Sequence, residues 1–212
     1  MRSIFSPAGA GSRAPTHMIW LPGAYHSAQN FLQQGFAAAV AKRGTPMDLS
    51  FVDLEMTHLD DREALALLRS ELVLPARAAG VSVWLGGISL GGLAALDYAS
   101  AHCGEIDGLC LLAPYLGNRM LINEIAAASG LSGWEPGEPA EFDAERRIWR
   151  YIKTQAGSRP VFLGYGREDR FSVAHGLMAA ALPANRVDVI AGGHEWPTWF
   201  KLWENFLELH FA

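Results

Sequence analysis

A serine hydroxyl is a poor nucleophile at neutral pH. It becomes a good one when a histidine can take its proton and a carboxylate orients that histidine. Three glycine-bearing turns in this chain carry such groups. Gly87-Ile88-Ser89-Leu90-Gly91 places a serine between two glycines. Gly166-Arg167-Glu168-Asp169 brings two adjacent carboxylates, and Gly192-Gly193-His194 brings a histidine. Serine, acid and histidine in this order could perform acyl transfer. The five-residue serine pattern is weak alone, since the chain holds 22 glycines. Its setting must support it.

That setting is a strand running into a helix. Residues 81–88 are apolar with β-branched residues alternating, and Leu93-Ala94-Ala95-Leu96 follow Ser89 with helical spacing. A serine at so sharp a turn takes a strained backbone, and side chains two positions either side would collide. The helix starting after Ser89 also aims free N–H groups and its positive dipole end at the hydroxyl.

The other elements alternate. Strands are expected at residues 17–23, 49–54, 106–114, 159–166 and 186–191. Helices are expected at 31–43, 60–79, near 172–182 and at 196–211. Asp60 or Asp61 should cap the second of these helices, and Pro75 should kink or end it. The uninterrupted apolar run 109–113 suits a strand covered on both faces. Alternation of this kind predicts a parallel, doubly wound sheet, with ligands at the C-terminal strand ends. Both the acid-bearing and the histidine-bearing turns follow predicted strands.

One interval, residues 115–156, is too long for a simple crossover. It holds a turn-rich loop at 129–139 between two helical patterns, and reads as a small helical cap. Residues 1–212 otherwise make one domain.

Together these features resemble the α/β-hydrolases, in particular small serine esterases and thioesterases. The likeness spans residues 17–211 and rests on the serine turn, the G-x-x-D turn and the G-G-H turn, each at a strand end and in family order. It implies a catalytic triad of Ser89, Asp169 and His194. Among the carboxylates, Asp97 lies two turns along the helix after Ser89, and Asp143 sits in the cap. Glu168 shares the right loop, but family acids usually stand at the offset of Asp169. The resemblance implies oxyanion donors at the N–H of Leu90 and of Ala24. Many members carry His-Gly before that second donor, where this chain has Pro22-Gly23. The full family sheet opens with two antiparallel strands. The 16 residues before His17 read instead as a flexible Gly/Ser/Ala/Pro leader. A minimal sheet of six or seven strands, with helices on both faces, is therefore expected.

The implied activity is cleavage of a small carboxylic ester or thioester through an acyl-enzyme, with no cofactor. The alternatives are a hydrolase-fold binding protein without turnover, or an acyltransferase or peptidase using the same triad. Tyr25, Trp134 and Trp196 are the candidate substrate contacts, and His26 could also touch substrate. Trp196, Trp199 and Trp203 recur at helical spacing, which reads first as core packing. His175 reads as a surface residue. His17, His58, His102 and His210 show no ligand spacing, so no metal is expected. The net charge of −5 without a Lys/Arg cluster argues against nucleic acid. No apolar run reaches membrane-spanning length. Two cysteines without a framework pattern, and no secretory signal pattern, fit a cytoplasmic protein. The sequence leaves a homodimer open.

Overall fold

The most apolar strands occupy the middle of a single seven-stranded sheet. The computed structural model describes residues 1–9, 13–54, 62–138 and 143–211. The strands are β1 (Ser3–Ser6), β2 (Thr16–Leu21), β3 (Met47–Val52), β4 (Ser82–Ile88), β5 (Gly108–Leu112), β6 (Val161–Gly166) and β7 (Val187–Ile190), in the order β1-β3-β2-β4-β5-β6-β7. Every neighbouring pair is parallel except β1 with β3. Every residue of β3, β5 and β6 is buried. That is what a sheet covered on both faces demands.

The helices are α1 (Ala28–Gln33), α2 (Phe36–Arg43), α3 (Arg62–Leu68), α4 (Leu74–Ala78), α5 (Leu90–His102), α6 (Arg119–Ala127), α7 (Ala144–Thr154), α8 (Ser172–Ala179) and α9 (Trp196–Phe211). The two helical layers differ in chemistry. On one face, α2 and α9 build an aromatic cluster in which Trp20 meets Phe36 at 5.0 Å and Trp203 at 5.1 Å, both edge-on. On the other, α5 packs on β4 and carries α7 against its outer side. Nine consecutive residues of α5, Gly91 to Ala99, are buried, which explains why this helix has no polar stripe.

Three expectations are corrected here. The leader is no mere tail: residues 3–6 form β1, antiparallel to β3, with Ser3 opposite Val52 and Ser6 opposite Leu49. Its Ser-Ile-Phe-Ser alternation is only four residues long and lies among turn formers, so pairing with β3 makes the strand. The helix expected over residues 31–43 is two, because Gly35 takes φ +84° between α1 and α2. There the ring of Phe200 stands 3.4 Å from where a Cβ would project. Pro75 does not end its helix, which runs on to Ala78. A π-helical turn at Arg69–Val73 joins α3 to α4 just before it, one way to accommodate the missing proline N–H. The Asp60/Asp61 cap lies outside the described residues.

In the long interval after β5, α7 is the crossover helix that packs along α5, and α6 with its following loop is the added part. Asn118 caps α6 by accepting the N–H groups of Met120 and Leu121. Glu145 of α7 holds the start of the segment, accepting from Tyr115 Oη and from the Asn118 backbone and side chain.

Candidate active site

Ser89 takes φ +51° and ψ −114°, a left-handed φ on a non-glycine residue. A non-glycine residue with positive φ costs of order 1–3 kcal/mol, so the surroundings must impose it. Ser89 N–H donates to Leu112 O at 3.2 Å, and Ser89 O accepts from Tyr115 N–H at 2.8 Å. The turn is thus pinned to the end of β5. The flanking glycines are sterically required. A Cβ on Gly87 would overlap Gly91 O, one on Gly91 would overlap Leu21 O, and one on Gly92 would lie 2.6 Å from Pro114 Cβ. Leu90 opens α5, so its N–H has no acceptor within the helix.

The loop after β2 lies directly against this turn. A Cβ on Gly23 would stand 3.4 Å from Ser89 Cβ and 3.5 Å from Ile88 O. Ala24, the next residue, belongs to a tight turn closed by His26 N–H on Gly23 O at 3.1 Å.

At the ends of β6 and β7 the acid and the histidine meet. Asp169 Oδ2 lies 2.7 Å from His194 Nδ1, and Asp169 Oδ1 accepts from Phe171 N–H at 2.8 Å. Burial alone would raise the Asp169 carboxyl. The bonds to His194 and Phe171 outweigh it and hold the group below its ordinary range. The two loops are also stitched by their backbones, Arg167 N–H to Ile190 O and Glu168 N–H to Gly192 O. The Glu168 carboxylate accepts from Gly192 N–H and so serves the loop rather than the imidazole. The remaining carboxylates have structural partners: Asp97 pairs with Arg147 of α7, and Asp143 caps α7.

Aromatic rings flank His194. Phe171 lies edge-on to it at 5.2 Å and Trp199 at 5.0 Å, while Tyr115 meets Phe171 at 5.5 Å. The tryptophan stripe is core packing as read, yet Trp199 also walls the imidazole. Trp196 packs tilted against His26 and edge-on to Phe31, Phe36 and Trp199. Tyr25 is fully exposed, at φ +65°, and points away from the protein. Trp134 is 2% exposed, its Nε1–H donates to Glu124 at 2.8 Å, and its carbonyl accepts from Lys153. It ties α6, the loop and α7 together, so it presents no open face to a substrate. Among the described residues no three His, Cys, Asp or Glu side chains gather as a metal site. Among the described residues no helix is long and apolar enough to cross a membrane.

Backbone comparison decides the architecture. FphF, a fluorophosphonate-binding serine hydrolase of Staphylococcus aureus, superposes with TM-score 0.70 at 9% identity, over 96% of this chain and 86% of that one. This is the α/β-hydrolase fold. Est1E from Butyrivibrio proteoclasticus matches with TM-score 0.63 at 17% identity, over 98% and 93% of the two chains. A monoglyceride lipase from Saccharomyces cerevisiae matches with TM-score 0.63 at 14% identity, over 99% and 92%. No family model matches the sequence. No curated protein matches it either. Within this sheet β1 is the edge strand that runs antiparallel to its neighbour β3.

His175 is the residue whose environment the sequence concealed. Expected at the surface, it is fully buried, its Nε2 2.9 Å from Pro114 O and its ring 4.9 Å from Tyr165. Burial pushes its pKa down to about 4, against the raising influence of Asp169 and the Pro114 carbonyl. An unfolded histidine takes its proton near pH 6.5, so between there and pH 4 only the unfolded chain protonates. The contribution of this group to stability should therefore be full above pH 6.5 and fall by about 3 kcal/mol on the way to pH 4. His175→Gln keeps a donor for Pro114 but does not titrate. Urea midpoints at pH 7 and 4.5 should differ less in that variant; equal differences would remove His175 as the cause.

Proposed function

We propose that this protein is a serine hydrolase that cleaves small carboxylic esters or thioesters through an acyl-enzyme. The observation that carries the reading is Ser89 held at positive φ on a strand-to-helix turn, with a buried Asp169 paired to a partly exposed His194 at neighbouring strand ends. In this reading Ser89 Oγ attacks the acyl carbon while His194 Nε2 takes the hydroxyl proton. The carbonyl oxygen becomes an oxyanion, held by the N–H groups of Leu90 and Ala24. Collapse breaks the bond to the leaving oxygen or sulfur, which departs with the proton from His194. A water then attacks the acyl-serine, giving its proton to His194. Collapse of this second intermediate releases the acid and returns the proton to Ser89. Asp169 holds the imidazole with its proton on Nδ1.

The solved structures named above include a serine hydrolase and a lipase, and they support ester chemistry for this fold. The aromatic rings beside His194 support an apolar or planar acyl or leaving group. A panel of nitrophenyl esters and acyl-thioesters of graded acyl length tests the proposal. Turnover of at least one series, with a burst of leaving group matching the enzyme concentration where deacylation is slow, is expected. No turnover, with no fluorophosphonate adduct, would overturn the hydrolase reading in favour of a binding protein on this scaffold.

A further inference from the structure

The loop that offers Ala24 contains a second histidine that the triad does not use. The His26 ring folds back over its own turn. A Cβ on Gly23 would meet both His26 Nδ1, at 3.1 Å, and Ser89 Cβ, at 3.4 Å, so only a bare glycine fits beside the imidazole and the nucleophile's Cβ. The ring also packs against Trp196, at 4.9 Å between centroids, and edge-on to Trp199 at 5.8 Å. Trp199 in turn lies edge-on to His194. One half-buried side chain therefore bridges the loop carrying Ala24 and the helix that follows His194. Its Nδ1 is buried and bonded to nothing among the described residues. Packing, not hydrogen bonding at Nδ1, orients that side of the ring. Burial, followed by the nearby His194, lowers its pKa and favours the neutral form.

We propose that His26 is a positioning residue, a flat neutral wedge that sets the spacing between the Ala24 loop and the Trp196–Trp199–His194 wall. This rests on the serine-hydrolase reading and adds to it. An oxyanion donor works only where the charge develops. A displacement of about 1 Å can cost ~10²-fold in rate, and loss of one donor ~10²–10³-fold. A small side chain at position 26 would let the loop sink toward the tryptophans and carry the Ala24 N–H away from Ser89. A phenyl ring would fill the same slot with the same flat shape.

The test compares the native sequence, His26→Ala and His26→Phe. Ester kcat and KM are measured for each, with the rate of fluorophosphonate labelling at Ser89. For His26→Ala we expect kcat and labelling rate to fall roughly 10- to 100-fold with KM within about threefold. For His26→Phe we expect most of kcat to return. Unchanged kcat in His26→Ala overturns the proposal. So does a loss confined to KM, which would make His26 a substrate contact. Equal losses in the two variants overturn it as well, since the nitrogens and not the shape would then matter. Should His26→Ala unfold, His26→Leu replaces it, filling volume without a flat ring, and the same loss of kcat is expected. Failure of the native sequence to label or turn over would strike the hydrolase reading itself, and is seen before any variant is compared.

Discussion

Ser89→Ala is expected to yield a folded protein that takes no fluorophosphonate adduct and has lost kcat by a factor of about 10⁶, the loss known when a triad serine is removed. The folding half of this expectation comes from the bonds that hold the turn. Ser89 contributes its backbone N–H to Leu112 and its carbonyl to Tyr115, Gly92 and Leu93, and none of these uses the hydroxyl. Alanine keeps the Cβ and so keeps the same backbone strain; nothing new is buried without a partner. The activity half follows because no other serine of the described chain sits at positive φ on the end of a parallel strand. Ser129 also has φ +64°, but it follows α6 in the added segment. Intact mass after fluorophosphonate treatment should show one adduct on the native protein and none on the variant. An adduct that survives the substitution would move the nucleophile elsewhere.

The serine turn was legible because its glycines are a local steric necessity. Gly87 and Gly91 are required by atoms within a few residues of Ser89 and at the end of β2, so composition at fixed spacing reports the geometry. The order of acid and histidine was legible for a similar reason, since a parallel sheet puts both at C-terminal strand ends. What was hidden depends on partners distant in sequence. β1 exists because β3 pairs with it, and four residues carry too little pattern of their own. The break at Gly35 looked like a tolerated glycine inside a helix; the neighbouring ring of Phe200, far along the chain, shares that spot. His175 could be placed inside only by knowing that Pro114 offers a carbonyl to it. Trp134 looked like a pocket wall because an aromatic residue in a turn-rich loop invites that reading. Its bond to Glu124 makes it the interior of its own segment. Glu168 and Asp169 could not be separated by periodicity. Their division of labour appears only once β6 and β7 lie side by side.

That division gives the sharpest comparison of adjacent residues in the chain. Asp169→Asn should lower kcat by ~10⁴ while leaving the fold nearly intact, as in the best-studied triad. The asparagine oxygen can still accept from Phe171 N–H, which keeps the loop in place. Its amide nitrogen then faces His194 Nδ1 and can only donate to it. The imidazole is forced to carry its proton on Nε2, where it can no longer take one from Ser89. Glu168→Gln is a different change. The Gly192 N–H needs only an acceptor, and the glutamine oxygen supplies one. The Glu168 backbone bond to Gly192 O is untouched. A loss under about tenfold in kcat is expected, since the loop bearing His194 keeps both of its ties. Asp97→Asn and Asp143→Asn serve as controls, because Asp97 pairs with Arg147 and Asp143 caps α7. Both should lower stability more than kcat. Kinetics of the four variants on one ester, with thermal melts alongside, separate the cases. If Glu168→Gln proves more damaging than Asp169→Asn, the orienting acid is Glu168 and the 2.7 Å contact of Asp169 with His194 serves only to hold the loops together. If neither change matters, the histidine is oriented without a carboxylate from this loop, and the triad reading fails at its acid.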